Sequence, residues 1–343
     1  MTPVPTCGGR DLALFTGVPA FAEPIRPGRP NIVNAERALD RIAGALDRRW
    51  LTNDGPLVAE FEDRLADYLG VPHCIATANA TLGLELLAHT LAFSGEIVVP
   101  SWTFVASPHS LTWTGLRPRF CDVDERTHCL DPALVEAAIT PETTAILAVH
   151  LWGHGCDVAA LADIAERHDL ELIYDAAHAL ACRVDGVPIG SFGRAEVFSF
   201  HATKMVTSFE GGAITTHDSD LAEQLTAARN FGFTGEDRVG MVGTNAKMSE
   251  ASAAMGITSL ESIDLLLGHN RANHRAYDIG LSEVRGVDLL RIGADDDSNR
   301  HYVVVDVDAA TSGLSRDELV GVLRLENIEA RRYFHPGCHR QQP

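Results

Sequence analysis

The sequence has 343 residues, of which 45% are hydrophobic and 22% are charged, as in an ordinary globular protein. Its formal net charge of −19, with no run of lysine or arginine, argues against nucleic acid and anionic membrane surfaces as partners. No apolar stretch approaches the roughly 18 to 20 residues that span a bilayer, and no signal-peptide pattern is present. Seven cysteines without paired spacing complete a pattern that predicts a cytoplasmic protein with reduced thiols.

Strand and helix patterns alternate along the first two thirds of the chain. A proline- and glycine-rich arm at 1–30 comes first, and we expect it to lie on the surface or on a neighbour. Amphipathic helices follow at 34–49, with Asn34 as N-cap, and at 57–69, ending at Gly70. Strands are then predicted at 73–78, 96–100, 119–123, 145–151, 170–175, 196–200 and 213–216, separated by helices at 81–92, 105–113, 132–139 and 158–168. This alternation predicts an α/β fold with a mostly parallel sheet covered on both faces.

Beyond residue 216 the pattern changes. Long helices are predicted at 218–231, 249–267 and 270–284. The last part has strands at 289–292, 302–307 and 328–331, a helix at 315–326 capped by Ser315, and an acidic run at 295–297 predicted to be a solvated loop. We therefore predict an arm at 1–30, a large domain at 31–262 and a small α+β domain at 263–343.

One lysine, Lys204, lies in the loop that directly follows the apolar strand predicted at 196–200, within SFHATKMVTSFEGG. Removal of an ammonium group from water favours the neutral amine, which is the nucleophilic form. Lys204 is therefore a candidate Schiff-base lysine. A surface lysine after a buried strand would give the same local pattern. The choice between these two interpretations depends on the other residues of the sequence.

Other chemically distinctive residues also lie at the ends of predicted strands. Thr81, Trp102 and Asp175 follow or end three of them, and Ser199 ends the strand before Lys204. In an open parallel sheet the carboxyl ends of the strands form the ligand crevice.

Together these positions suit pyridoxal phosphate. A carboxylate at the pyridine nitrogen, here Asp175, keeps the ring protonated and makes it an electron sink. The segment ANATLG supplies a helix N-terminus for the phosphate, with the Thr81 hydroxyl and the N–H of Leu82 as donors and Ser199 as a further hydroxyl. Trp102 offers a flat face to stack on the ring.

At these residues the sequence resembles the DegT-type nucleotide-sugar aminotransferases, a branch of the fold-type-I pyridoxal-phosphate enzymes. The resemblance runs from about residue 27 to the end of the chain, through TNDGP, ANATLGLELL, VPSWTFVAS, VHLWGHGCDV, IYDAAHALAC, SFHATKMVTSFEGGAI, ARNFGF, GTNAKMSEASAAMG and YFHPGCHRQQP. It implies an aspartate aminotransferase-like large domain and a smaller C-terminal α+β domain.

The resemblance also implies roles for particular residues. Lys204 holds the cofactor and Asp175 meets the pyridine nitrogen, while Thr81, Leu82 and Ser199 bind the phosphate and Trp102 stacks on the ring. His178 falls where the family often has glutamine or histidine near the cofactor hydroxyl. Asn245 falls where the family sends an asparagine from the second subunit to the phosphate, which implies a homodimer with a shared active site.

The activity implied by the resemblance is transfer of an amino group from L-glutamate to a keto sugar nucleotide, in deoxyaminosugar biosynthesis. The YFHPGCHRQ motif is similar to that of members that aminate C-4 of a dTDP-4-keto-6-deoxyhexose. A C-3 aminotransferase acting on a dTDP-3-keto-6-deoxyhexose is the open alternative. Family members usually continue for a few dozen residues past this motif, so a truncated small domain is expected at Pro343.

The sequence disfavours two alternatives to an aminotransferase. Sugar dehydratases of the same fold replace the lysine with histidine, so Lys204 argues against them, and His201 is not at the equivalent position. A pyridoxal-phosphate-binding regulator without turnover is disfavoured because Lys204, Asp175, Thr81 and Ser199 are all retained.

In HLWGHGCD, the spacing of His150, His154 and Cys156 could suggest a metal site. The segment follows a predicted strand as a glycine turn, so we interpret it as structural and predict no metal.

Overall fold

The computed structural model describes residues 11–291, 293–294 and 297–342. The strands in these residues are β1 (His73–Thr77), β2 (Glu96–Pro100), β3 (Arg117–Cys121), β4 (Thr143–Val149), β5 (Glu171–Asp175), β6 (Arg183–Val184), β7 (Val187–Pro188), β8 (Ala195–Ser199), β9 (Gly212–Thr216), β10 (Phe233–Gly235), β11 (Arg238–Val239), β12 (Val287–Leu289) and β13 (Val305–Val307). The helices are α1 (Ala13–Thr16), α2 (Ala35–Arg48), α3 (Pro56–Leu69), α4 (Ala80–Thr90), α5 (Ala106–Trp113), α6 (Pro132–Ala138), α7 (Val158–Arg167), α8 (Ser219–Ala228), α9 (Glu250–Leu260), α10 (Ile263–Leu281), α11 (Ala309–Ser312) and α12 (Arg316–Leu325), with a 3₁₀ turn at Cys338–Arg340.

In the described part of the chain, seven strands form the central sheet in the order β1–β9–β8–β5–β4–β2–β3. Only β9 runs antiparallel to its neighbours, β1 and β8, and the remaining pairs are parallel. Alternate strand residues enter different apolar clusters: Ala76 and Phe198 pack with α3 and α9, whereas Ile75 and Val197 pack with α4 and α8. The predicted α/β fold, with helices on both faces of a mostly parallel sheet, is confirmed.

The long helix predicted at 249–267 is wrong in its extent, because the chain turns between α9 and α10. The carboxylate of Glu261 binds three arginines of α2 and α3, Arg37, Arg41 and Arg64, which fixes this turn against the preceding helices. Asn34 precedes α2 as predicted but does not cap it; its side chain donates to the Ser262 hydroxyl at 3.4 Å instead. The division of the chain near residue 262 stays a prediction.

The C-terminal part also differs from the prediction. The strand expected at 328–331 is wrong, since only Ile328 pairs, through a single parallel bridge to Ile25. The strand expected at 302–307 is shortened to β13, which pairs with β12. Residue 292 of the strand predicted at 289–292, residues 295 and 296 of the acidic loop, residues 1–10 of the arm and residue 343 lie outside the described residues.

The described part of the arm lies on the C-terminal part of the same chain. Glu326, whose side chain is buried, accepts hydrogen bonds from the backbone N–H of Ala13 at 2.6 Å and of Ala20 at 2.8 Å. The Ile25–Ile328 bridge extends the contact. None of the helices described is long and apolar enough to cross a membrane.

Candidate active site

The sheet register brings the predicted residues of β1, β8 and β5 to one edge. Thr77, the last residue of β1, pairs with Gly212, and Gly212 pairs with Ser199 at the end of β8. Asp175, the last residue of β5, pairs with Val197, two residues before Ser199. Because β1, β5 and β8 are mutually parallel, the start of α4, Ser199 and Asp175 lie at the same crevice.

Asp175 is a buried carboxylate, with 5% of its surface exposed. Its Oδ2 accepts a hydrogen bond of 2.7 Å from the Ser107 hydroxyl on α5, and its Oδ1 accepts one of 3.0 Å from the N–H of Ala177. No basic side chain of the described residues forms a salt bridge with it. A buried carboxylate that is oriented but lacks a cation is costly, and a protonated ring nitrogen would supply the missing charge.

Lys204 follows β8 and is half-buried, and its Nζ lies 3.2 Å from the hydroxyl of Tyr302. Burial lowers the pKa of Lys204 to about 8, against the opposing influence of the Asp175 charge, which raises it. Roughly a tenth of the amine is therefore neutral at pH 7, far more than for an ordinary lysine. The neutral amine is the form that attacks an aldehyde.

Helix α4 begins at this crevice with its N-terminus capped. The Asn79 side chain accepts from the N–H of Leu82 at 2.9 Å, so this predicted phosphate donor is engaged within the protein. The Thr81 hydroxyl is half-buried and makes no hydrogen bond within the described residues. A Cβ on Gly212 would lie 2.6 Å from the Ala80 nitrogen, so glycine allows the helix start to approach β9 this closely.

Aromatic side chains form one wall of the crevice, which we call the aromatic wall: Trp102, Trp152, Tyr302, Tyr333 and Phe334. The rings of Trp152 and Phe334 stack with centroids 5.1 Å apart, and that of Trp102 meets Phe334 edge-on at 6.2 Å. Trp102 therefore lies at the crevice after β2, in contact with the C-terminal YFHPGCH segment. Three of the five residues of the wall thus come from the part of the chain after residue 300.

His178 packs against this wall, with its ring centroid 4.2 Å from that of Tyr302. Burial and the nearby Lys204 and His301 hold the pKa of His178 well below its usual range, so the ring is neutral. Its Nδ1 is buried and has no hydrogen-bond partner in the described part of the protein. An orphaned ring nitrogen of this kind fits a ligand hydroxyl, such as that of pyridoxal.

Ser199 and Asn245 are the other two residues predicted to bind the phosphate. The Ser199 hydroxyl accepts only a long contact, 3.4 Å, from the N–H of His201. Asn245 is exposed and accepts from Lys247 Nζ at 2.7 Å, while Lys247 itself bridges to Thr77 at the end of β1. Asn245 therefore lies on the outer surface of the chain rather than inside its own crevice.

The histidines and cysteine of HLWGHGCD serve internal hydrogen bonds. His150 Nδ1 accepts from the N–H of Cys156 at 3.0 Å, and its Nε2 lies 3.2 Å from the buried carboxylate of Glu196. His154 Nε2 donates to the Thr127 carbonyl at 2.9 Å. Within the described ranges, no group of three or more potential ligands is arranged to hold a metal ion.

Two residues of the site were missed by the sequence analysis. Ser107 lies four residues after Thr103 in the segment that follows β2, so the rule of strand ends could have found it. Tyr302 comes from a distant part of the chain, 98 residues after Lys204, and no local pattern marked it.

A buried carboxylate and a low-pKa lysine at the strand ends of an α/β sheet are typical of enzymes that form a covalent bond to a carbonyl group. Comparison with known proteins agrees with this class. The sequence profile of the DegT/DnrJ/EryC1/StrS aminotransferase family matches residues 33–343. The chain is 37% identical over 314 residues to a dTDP-4-amino-4,6-dideoxy-D-glucose transaminase of Shigella dysenteriae, covering 92% of this chain and 85% of that protein.

Solved structures are similar as well. DesI, determined in the presence of its TDP-sugar product, superposes with a TM-score of 0.93 at 50% identity, covering 97% of this chain and 85% of that one. DesV of S. venezuelae, solved with a ketimine intermediate, has a TM-score of 0.83 at 33% identity, covering 89% and 81%. The chain belongs to the DegT/DnrJ/EryC1/StrS family and is an aminotransferase.

Proposed function

We propose that this aminotransferase uses pyridoxal 5′-phosphate to move an amino group from L-glutamate to C-4 of a dTDP-4-keto-6-deoxyhexose. The substrate class is supported by the similarity to the Shigella transaminase and to DesI, whose names specify a dTDP-aminosugar and a TDP-sugar product. The observation that carries the cofactor is the buried carboxylate of Asp175, which forms no salt bridge within the described residues but is close enough to raise the pKa of Lys204.

The residues of the crevice fit the parts of this cofactor. Lys204 would hold its aldehyde carbon, Asp175 its ring nitrogen and His178 its ring hydroxyl. The phosphate would lie at the start of α4, held by Thr81 and Ser199, and the N–H of Leu82 would join them once the Asn79 side chain releases it. When bound, the cofactor supplies an electron sink for the negative charge that develops on the carbon of the amino donor. Trp102 would lie against the ring.

The chain's own contribution to the reaction is proton transfer by Lys204. The Nζ of Lys204 would take the proton from the α-carbon of the amino donor and hold it for return on the same side of the crevice. A pKa of about 8 suits both steps at neutral pH, since the amine can be present in either form. Tyr302, which belongs to the aromatic wall, covers one side of Lys204.

The site is proposed to be shared between two subunits. Asn245 is exposed on its own chain, and in a homodimer Asn245 of the partner subunit would reach the phosphate. Its exposed position on the surface supports this arrangement.

The lysine content of the chain gives a direct test of the cofactor. The sequence has only two lysines, Lys204 and Lys247. After incubation with pyridoxal phosphate and reduction with borohydride, peptide mapping should find the cofactor on Lys204. Lys204→Ala should lose the label and at least about a thousandfold of the activity while keeping its circular dichroism spectrum. Labelling of Lys247 alone would refute the cofactor proposal.

The substrate is tested separately. A panel of dTDP-4-keto and dTDP-3-keto sugars is supplied with glutamate, and the position of the new amine is assigned by NMR. We expect amination at C-4. Amination of only the 3-keto sugars would establish the C-3 alternative, and failure of every sugar would refute the substrate class while leaving the labelling result intact.

A further inference from the structure

Residues 299–302, here called the 299–302 segment, cross over two loops of the active site. One loop follows Asp175 and carries His178, and the other follows β8 and carries Lys204. The Asn299 amide nitrogen donates to the carbonyls of His178 and Leu180, each at 2.9 Å. Its own Oδ1 accepts from the N–H of His301 at 3.0 Å. One buried side chain therefore ties this segment to the loop that follows Asp175.

The position of Asn299 depends on a glycine in the facing loop. Gly153 has a φ of +87°, and a Cβ at this position would lie 2.4 Å from the Asn299 Oδ1. Any other residue would force the amide away from its two carbonyl partners. The 299–302 segment is thus closely packed against the loop that contains Gly153.

His301 connects the same segment to the loop that carries the lysine. Its Nε2 lies 3.0 Å from the carbonyl of Thr203, the residue before Lys204, and must carry the hydrogen because a carbonyl only accepts. Burial lowers the pKa of His301 to about 4, so the ring is neutral and adds no charge beside the lysine. The segment therefore fixes the backbone at Lys204 as well as the loop of His178.

Tyr302 completes the arrangement at the reacting atom. Its hydroxyl lies 3.2 Å from Lys204 Nζ, and its ring packs on His178 with centroids 4.2 Å apart and on Trp152 at 5.5 Å. Burial raises the pKa of the phenol, so it stays protonated and neutral. A neutral phenol accepts from an ammonium group and donates to a neutral amine, so it can hold Lys204 in both of its forms.

We propose that Tyr302 is a positioning residue for Lys204: its hydroxyl, placed by Asn299 and His301, holds the free amine in line for proton transfer. The proposal rests on the proposed function in that the amine is free while the proton moves. The bond to the ammonium form is charge-assisted and therefore the stronger of the two. Loss of the hydroxyl should then disfavour the ammonium form and lower the pKa of Lys204 further.

The test uses cofactor-free protein, so that it does not depend on substrate or turnover. Lys204 is acetylated with trace anhydride over a range of pH, and its labelling is read by mass spectrometry, with Lys247 as the internal reference. For Tyr302→Phe we expect the midpoint of Lys204 labelling to fall by about half a unit to one unit. Because the parent pKa is about 8, this corresponds to roughly 3- to 5-fold more labelling at pH 7. Tyr277→Phe, which removes an exposed phenol from α10, is the matched control and should titrate as the parent does.

Asn299→Ala keeps the hydroxyl but removes its support, and we expect a smaller fall in the same midpoint. In the loaded enzyme Tyr302→Phe should lower kcat by about 10- to 100-fold with KM within about twofold, because orientation rather than binding is lost. A Lys204 midpoint that does not fall in Tyr302→Phe would overturn the proposal. This result is independent of which sugar, if any, the enzyme aminates.

Discussion

Lys204 and Asp175 influence each other through charge as well as through their shared place in the crevice. Burial lowers the pKa of Lys204 to about 8, and the Asp175 carboxylate holds it from falling lower. Asp175 in turn is oriented by Ser107 and not by a cation. In the cofactor-free protein, Lys204 therefore compensates the charge of Asp175 only in part. A positively charged ligand atom would complete the compensation.

The acetylation midpoint of Lys204 tests this pair. In the cofactor-free parent we expect half-maximal labelling near pH 8, well below the range of an exposed lysine. Asp175→Asn removes the charge that favours the ammonium form, so its midpoint should fall below that of the parent. Asp163→Asn, which alters an exposed ion pair with Arg167, serves as control. A midpoint that rises or stays constant in Asp175→Asn would contradict the proposed interaction.

The sequence could indicate Asp175 and Lys204 because each lies at or just after a strand end, where parallel sheets place their ligands. It could not indicate Tyr302, since the contact with Lys204 spans 98 residues and depends on how two loops dock. It also could not foresee that Asn79 occupies the N–H of Leu82, because capping competes with ligand binding for the same donor. Long-range contacts are not encoded in a local pattern. A local cap, in turn, does not show which of two partners takes the same donor.

At the level of elements, the antiparallel strand β9 determines how closely α4 approaches the sheet. Gly212 pairs with Thr77 on one side and with Ser199 on the other, and the start of α4 packs directly on it. Gly83, one turn into the helix, is similarly tight, since its Cβ would lie 2.9 Å from Val197 Cγ1. The proposed phosphate site therefore depends on two glycines, Gly212 and Gly83, that let the start of α4 pack closely on the sheet.

A methyl group at Gly212 should displace the helix start. In Gly212→Ala the new Cβ would meet the backbone of Asn79 and Ala80 at 2.6 Å, and neither can move as a side chain could. We expect a loss of about 1–3 kcal/mol in the free energy of unfolding, measured by urea denaturation, and weaker cofactor binding.

The control for this experiment is Gly268→Ala. Gly268 lies within α10 with nothing within 4 Å of its would-be Cβ, so alanine there should stabilise by about 0.5–1 kcal/mol. Equal stability changes of the same sign in the two variants would contradict the close packing described for α4.

Helix and strand positions were predicted well where periodicity is strong, as in α2, α3 and β2. The helix predicted at 249–267 failed because apolar periodicity continues through residues 261 and 262, while the turn there is fixed by arginines of other helices. Tertiary ion pairs of this kind leave no trace in the local sequence.

At the scale of the whole molecule, the central question is whether one chain can build the site alone. The crevice contains Lys204, Asp175 and the start of α4, but Asn245 is on the outside. If Asn245 of the partner subunit closes the phosphate site, neither of two complementary variants should be active by itself. Lys204→Ala lacks the reacting amine, and Asn245→Asp places a negative charge against the phosphate.

Mixing these two variants under conditions of subunit exchange tests the shared site. Each mixed dimer contains one intact site, made from the Lys204 of one chain and the Asn245 of the other. Random exchange should restore about a quarter of the parent activity. A mixture of Lys204→Ala with Asp175→Asn, two changes within the same crevice, should remain inactive. Continued inactivity of the first mixture, despite proven exchange, would refute the shared site.

The contact between the arm and Glu326 can form only after residue 326 has been synthesised. Ala13 leaves the ribosome early, yet the carboxylate that receives its N–H is 313 positions further along the chain. At translation speeds of about 5–20 residues per second, the arm waits roughly 15 to 60 seconds for its partner. During that interval the N–H groups of Ala13 and Ala20 lack their carboxylate partner, so the arm can take up its place only after the C-terminal part has been made.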